Sequence, residues 1–278
     1  MTFQTRAFAA LLLIATPMPA AAETPEPVAT IMRAWSNDVV LQRAGLVMTQ
    51  VINSCDCDPE VKAALLPKIE DHLDAEVRFA ELTAYVSDGV SPEHVAETAD
   101  FLSSDLGQQT TDLAQAYFAW STSPRAHPSH MLDRAKTLEA DAQKAPRRFA
   151  LYHRIAFSSA QSRRRRELLT AFDIMMAGTL TSIDEGRQAT ATLAEVRAFF
   201  KERLGGDPFR GDPMMIVEMD MTYAALSEDD LEAYATWLET EAAQAMIEMS
   251  HEGMLNVLID ASRDFSTEVV AIISERDS

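Results

Sequence analysis

SEDDLEAYATWLETEAAQA, residues 227–245, carries the clearest helix signal in the chain, and SPEHVAETADFLSSDLGQQ, residues 91–109, follows the same plan. In each, a serine stands where a helix should begin, so its hydroxyl can accept an orphan backbone N–H of the first turn. Acidic residues follow at once. Glu93 in the first stretch, and Glu228, Asp229 and Asp230 in the second, lie against the positive end of the helix dipole. Pro92 occupies a first-turn position where its missing N–H costs nothing. Behind Ser227, the residues Leu231, Tyr234, Ala235, Leu238, Ala242, Met246 and Met249 recur at three- and four-residue steps, which gathers them on one apolar stripe. Val95, Thr98, Ala99, Leu102, Leu106 and Leu113 keep that register, Phe101 answers Trp237 on the flank, and Asp105 answers Glu241. The identical pairs are Ser91/Ser227, Ala99/Ala235, Leu102/Leu238 and Gln108/Gln244. Two copies of one helical unit are expected.

The longer string LSEDDLEAYATWLETEAAQAM has an order of serine, acidic turn, leucine, aromatic-leucine, Glu-Thr (Ser-Ser in the first copy) and a small residue. That order resembles the bacterial family catalogued as domain of unknown function 2059. The resemblance covers the surroundings of each copy and is clearer in the second. It implies an exported helical protein and brings no catalytic residues. The family commonly places a proline and then a glycine after the aromatic pair. Here Asp105 and Glu241 stand at the proline position, and Ala243 replaces the glycine that Gly107 retains.

The N-terminus supports export independently. Arg6 precedes an apolar run over residues 7–15, and Ala20 and Ala22 are spaced for signal-peptidase cleavage before Glu23. Residues 1–22 are therefore expected to be a signal peptide, and the mature chain to be periplasmic with no transmembrane segment. Only 9 glycines occur in 278 residues, Ala, Leu and Met abound, and strand-like alternation is scarce, so an all-α fold is expected. The organisation expected is an N-terminal helical half over 23–145, a basic connecting helix over 146–186, and a C-terminal half over 187–278. With 24 basic against 43 acidic residues the net charge is −19, which argues against nucleic acid and anionic lipid as general partners.

Local punctuation sets the expected elements. Residues 27–54 read as one helix or two, broken near Ser36, Asn37 and Asp38, and 59–88 as a helix kinked or interrupted at Pro67. STSPRAHPSH, residues 121–130, reads as a loop holding His127 and His130. Pro146 opens one long helix to about residue 183, with Phe149, Tyr152, Ala156, Leu169, Phe172, Met176 and Leu180 inward. A further helix over 187–204 and the loop GGDPFRGDP over 205–213 precede the second copy, and the Arg210-Gly211-Asp212 string in that loop reads as a chance match.

Several residues carry possible chemistry. Cys55 and Cys57 flank one residue at a helix junction, where they can form a local disulfide, pair with other molecules, or bind a soft metal. Lys144, Arg147, Arg148, Arg154 and the run Arg163, Arg164, Arg165 and Arg166 reverse the charge of an acidic chain. Four consecutive arginines span all sides of a helix. They either pair with the acidic flanks of the repeats or form an anion-binding strip. Met214, Met215, Met219, Met221, Met246, Met249 and Met254 can fill a core, line an apolar groove, or hold cuprous copper. Glu248 and His251 have the spacing of a di-iron helix, but Asp112 and Gln115 stand at the corresponding positions of the first copy, so the second pair is missing.

No nucleophile elbow, zinc-protease helix or phosphate-cradling loop is present, and no cofactor is implied. The expectation is a non-enzymatic binding or structural protein with a protein partner in the cell envelope or self-association. Phe101, Trp237 and the methionine-rich stripe edges would supply its contact surface. A soft-metal carrier using Cys55, Cys57 and the methionines is the alternative, and an enzyme built on scattered carboxylates and His153 or His251 ranks last.

Overall fold

The computed structural model describes residues 26–123, 128–186 and 214–276, with residues 188, 194, 195 and 198 between the last two stretches. The expected signal peptide, His127, the helix expected over 187–204 apart from those few residues, and the loop over 205–213 lie outside the described residues. Within them the fold is all-α, and no strand occurs among the described residues.

The chain runs first through α1 (Glu26–Ala34), α2 (Asn37–Ser54), α3 (Pro59–Leu73), α4 (Ala75–Gly89), α5 (Pro92–Ser103) and α6 (Asp105–Ser121). Then come α7 (Pro128–Lys144), α8 (Pro146–Ser158), α9 (Gln161–Glu185), α10 (Met214–Tyr223), α11 (Glu228–Leu238) and α12 (Glu241–Arg276). The two serine caps form as the sequence requires. Ser91 Oγ accepts from the His94 N–H at 3.2 Å, and Ser227 Oγ accepts from the Asp230 N–H at 3.1 Å. Asp230 returns the favour by accepting from the Ser227 N–H, which completes a capping box.

Each expected rod is nevertheless two helices. Ser104 Oγ accepts from the Gly107 N–H at 3.1 Å, and Thr240 Oγ1 accepts from the Ala243 N–H at 3.2 Å. A hydroxyl that caps a new first turn competes with continuation of the old helix, so the chain bends at both positions. Two further boundaries also differ from expectation. Helix α3 runs through Pro67 and ends at Leu73, because Asp74 caps α4 by accepting from the Val77 N–H at 2.9 Å. Pro128 lies at the first position of α7 rather than in a loop, a position that tolerates proline.

The long basic helix expected from Pro146 is broken. Ala160 takes the left-handed conformation at φ 48° between α8 and α9. This corner resets the helical phase, so Leu169 and Leu180 turn outward at 53% and 37% exposure, while Ala171 and Met175 turn inward. The other non-glycine residue of the described chain in this region of φ, Ser36 at 59°, makes the same kind of corner between α1 and α2.

Packing follows a reciprocal plan. Helix α5 lies against α12, and α11 lies against α6; α4 also lies against α12, and α10 against α6. Helix α1 packs on α4 and α5 as α8 packs on α10 and α11. One apolar cluster joins Met32, Leu41, Ile52, Leu65 and Leu82 of the first half to Met246, Met254 and Phe265 of α12. A second joins Tyr152 and Ile155 of α8 to Met219, Leu231, Leu238 and Ile247. Each such side chain removed from water contributes about 1.5–3 kcal/mol, which is why the clusters dominate the fold. Because α12 supplies part of the first cluster, residues from opposite ends of the described chain share one core.

Candidate functional site

A cavity of about 880 Å³ is lined by residues of α2, α5, α6, α9, α10, α11 and α12, among others. Its wall includes both left-handed corners: Trp35, Ser36 and Asn37 at the first, Ser159 and Gln161 at the second. The corners turn α2 and α9 away from the helices before them. Gln115 secures the first by donating to the Ala34 carbonyl at 3.0 Å. Gln244 donates to the Ser158 carbonyl at 2.7 Å beside the second.

Aromatic rings form much of the rest. Phe101 of α5 and Trp237 of α11 stack face to face, with centroids 3.8 Å apart and planes 8° from parallel, and Tyr234 continues the stack. Tyr223 meets Tyr234 edge-on, and burial raises the hydroxyl pKa of both. Phe118 carries the Arg43 guanidinium over its ring at 5.1 Å and also lines the cavity. Tyr117 is pushed up to about 12, first by burial and then by the nearby Glu218 carboxylate. Phe101 and Trp237 were expected on an outward contact surface. They instead face each other across the inner wall, because the stripe edges of the two rods are pressed together there.

The arginine run divides among several tasks. Arg163 pairs with Glu248 of α12, and Arg165 with the buried Glu218 of α10. Arg147 and Arg154 reach the acidic first turn and the end of α11: Arg154 holds Glu239 through two nitrogens at 2.6 and 2.7 Å, and Glu232 at 3.0 Å. These pairs match the expected acidic flank of the second copy. Arg148 is an internal clamp, donating to the carbonyls of Tyr223, Ala224 and Leu226 at the end of α10.

Arg164 differs from its neighbours. It lines the cavity, and its only hydrogen bond among the described residues runs from Nη1 to the Ser159 carbonyl at 3.4 Å. Its Nε is buried without a partner, as is the indole N–H of Trp237. Arg164 keeps some accessible surface because it borders the cavity, yet protein surrounds it closely enough that desolvation pulls its pKa below the ordinary arginine value. Opposite, His251 Nε2 meets Glu167 at 2.7 Å; burial lowers the His251 pKa more than Glu167 raises it.

Cys55 and Cys57 are joined in a disulfide at the α2–α3 junction, with Cα atoms 5.3 Å apart. Met215 and Met219 belong to one apolar cluster and Met246 and Met254 to the other, where they pack as core side chains. Among the described residues no group of three or more His, Cys, Asp or Glu side chains is placed to hold a metal ion. Nor is any helix there long and apolar enough to cross a membrane.

Trp35, Tyr117, Phe118 and Glu218 belong to the site without having been singled out in the sequence. The exposed-or-core ambiguity of a single aromatic residue hides the first three, and Glu218 is one acidic residue among many; only the unusual Trp-Ser-Asn corner at 35–37 offered a signal. No family model, curated protein or solved structure matches the chain.

Proposed function

We propose that the chain is a duplicated helical unit whose two copies enclose a binding site for one small, largely apolar molecule. The observation that carries this reading is the cavity of about 880 Å³ walled by aromatic and aliphatic side chains. That size falls within the roughly 300–1,000 Å³ typical of small-molecule sites, which are likewise mostly apolar with few polar groups. The reciprocal helix packing and the paired left-handed corners support the duplication. The export signal read over residues 1–22 supports binding outside the cytoplasm. Nothing in the site requires a catalytic step.

Titration of the mature full chain with the neutral fluorophore N-phenylnaphthylamine tests this. One probe should bind per chain, with enhanced emission. Ala114→Trp, which adds bulk on the cavity wall, should abolish that binding. No binding, or binding indifferent to Ala114→Trp in a variant with unchanged helicity, overturns the reading.

A further inference from the structure

The polar groups of the cavity are mismatched in one direction. Arg163 and Arg165 each have a carboxylate, and the His251 ring has Glu167. Among the described residues Arg164 between them reaches only a distant carbonyl, and its Nε, like Arg163 Nε and Trp237 Nε1, is a buried donor with no acceptor. Glu248 acts on Arg164 through space only, and a desolvated guanidinium with no carboxylate hydrogen-bonded to it is costly, so an anion that reaches it recovers much of that cost.

A second observation points to the same wall. Helix α9 starts at the left-handed Ala160 without a side-chain cap, and Ser159 and Gln161 at that start line the cavity. The 25-residue helix thus presents uncapped N–H groups and the positive end of its dipole beside Arg164. Beyond this polar end the wall turns aromatic, along Phe101, Tyr234 and Trp237.

Resting on the cavity reading above, we infer that the ligand is an amphiphile: a single anionic head, carboxylate or phosphate, held by Arg164 at the start of α9, with an apolar body against the Phe101–Tyr234–Trp237 stack. Arginine suits either head because its planar fork donates two parallel hydrogen bonds to paired oxygens. Of the surrounding carboxylates, Glu218 and Glu248 already face Arg165 and Arg163, and Glu167 is hydrogen-bonded to the His251 ring. The negative surface of the chain would disfavour an anion in general, which confines anion binding to this internal position.

The test displaces N-phenylnaphthylamine from the mature chain with dodecanoate, dodecyl phosphate and dodecanol, three molecules of equal chain length. At least one anion should bind about tenfold or more tightly than the alcohol, the size of effect a charge-assisted hydrogen bond gives. Whichever anion is preferred identifies the head as carboxylate or phosphate. Arg164→Met should bring that anion down to the affinity of the alcohol, and Arg164→Lys should retain an intermediate preference. Equal affinity of alcohol and anions for the unmodified chain overturns the inference while leaving the cavity reading intact, and it does so even where the Arg164 variants fail to fold. An anion preference unchanged in a folded Arg164→Met also overturns it. Failure of the neutral probe itself to bind removes both readings.

Discussion

Phe101 and Trp237, which occupy the same place in the two copies of the sequence plan, stack on each other with ring centroids 3.8 Å apart. The contact lies within the reciprocal packing of α5 on α12 and α11 on α6, and under the proposed duplication it would mark the axis relating the two copies. A stacked aromatic pair adds about 0.5–1.5 kcal/mol beyond its buried area. In a double-mutant cycle, Phe101→Ala and Trp237→Ala should each destabilise, with a coupling in that range read from urea unfolding. Strict additivity would mean that the rings do not meet.

The two corners predict an opposite sign. Ser36 and Ala160 hold φ of 59° and 48°, where an L-residue pays roughly 1–2 kcal/mol that glycine does not. Glycine loses about 0.5–1 kcal/mol of that advantage through the freedom of the unfolded chain. Ala160→Gly and Ser36→Gly should therefore each stabilise by about 0.5–1 kcal/mol, seen as a rise of roughly 2 °C in Tm. Ala160→Val, β-branched at the same φ, should lower Tm instead.

How much of this was legible in the sequence follows from the kind of signal each feature leaves. Caps are local, so Ser91, Ser227 and the Cys55–Cys57 junction with Asp58 before Pro59 could be read directly. The breaks at Ser104 and Thr240 were in view as the Ser-Ser and Glu-Thr dipeptides, but the apolar stripe continues through them and conceals the bend. Ala160 leaves no signal at all, since alanine is the strongest helix former; tertiary packing of α8 and α9 overrides its propensity. The arginine run announced itself by charge. That Arg164 alone would border a cavity depends on the phase set by the Ala160 corner, which only the fold reveals.

Gly107 gives a prediction that separates the copies. A Cβ there would collide with the carbonyl of Phe101 and crowd the Leu102 backbone, and backbone atoms yield little. Gly107→Ala should destabilise by roughly 1–3 kcal/mol, although alanine favours a helix by about 1 kcal/mol over glycine elsewhere. Ala243, at the corresponding place in the second copy, is fully buried within α12. Ala243→Gly should also destabilise, by about 1 kcal/mol from propensity with a further contribution from the lost methyl. Urea midpoints of the two variants check this, and a neutral Gly107→Ala would mean that the α5–α6 turn is looser than its geometry requires.

His251 ties stability to pH. Its side chain is 4% exposed, and burial lowers its pKa below the usual 6.5 despite Glu167 at 2.7 Å, with Arg164 and Arg163 reinforcing the shift. The unfolded chain therefore binds the proton more tightly than the folded one. The contribution of the neutral imidazole is present above about pH 6.5 and is lost as the pH falls through and below that value, with a slope of at most about 1.4 kcal/mol per pH unit for one group. Carboxylates such as Glu232 and Glu239, whose pKa values are lowered by Arg147 and Arg154, lose their contribution only further down, below the ordinary carboxylate range. The urea midpoint should thus fall between pH 7 and pH 5.5, before the acid transition begins. His251→Gln, which keeps a hydrogen-bond donor for Glu167 but cannot titrate, should flatten that segment while leaving the acid limb in place. A pH dependence identical in the variant would show that His251 protonates in the fold as readily as in the open chain, and that the wall around it admits water.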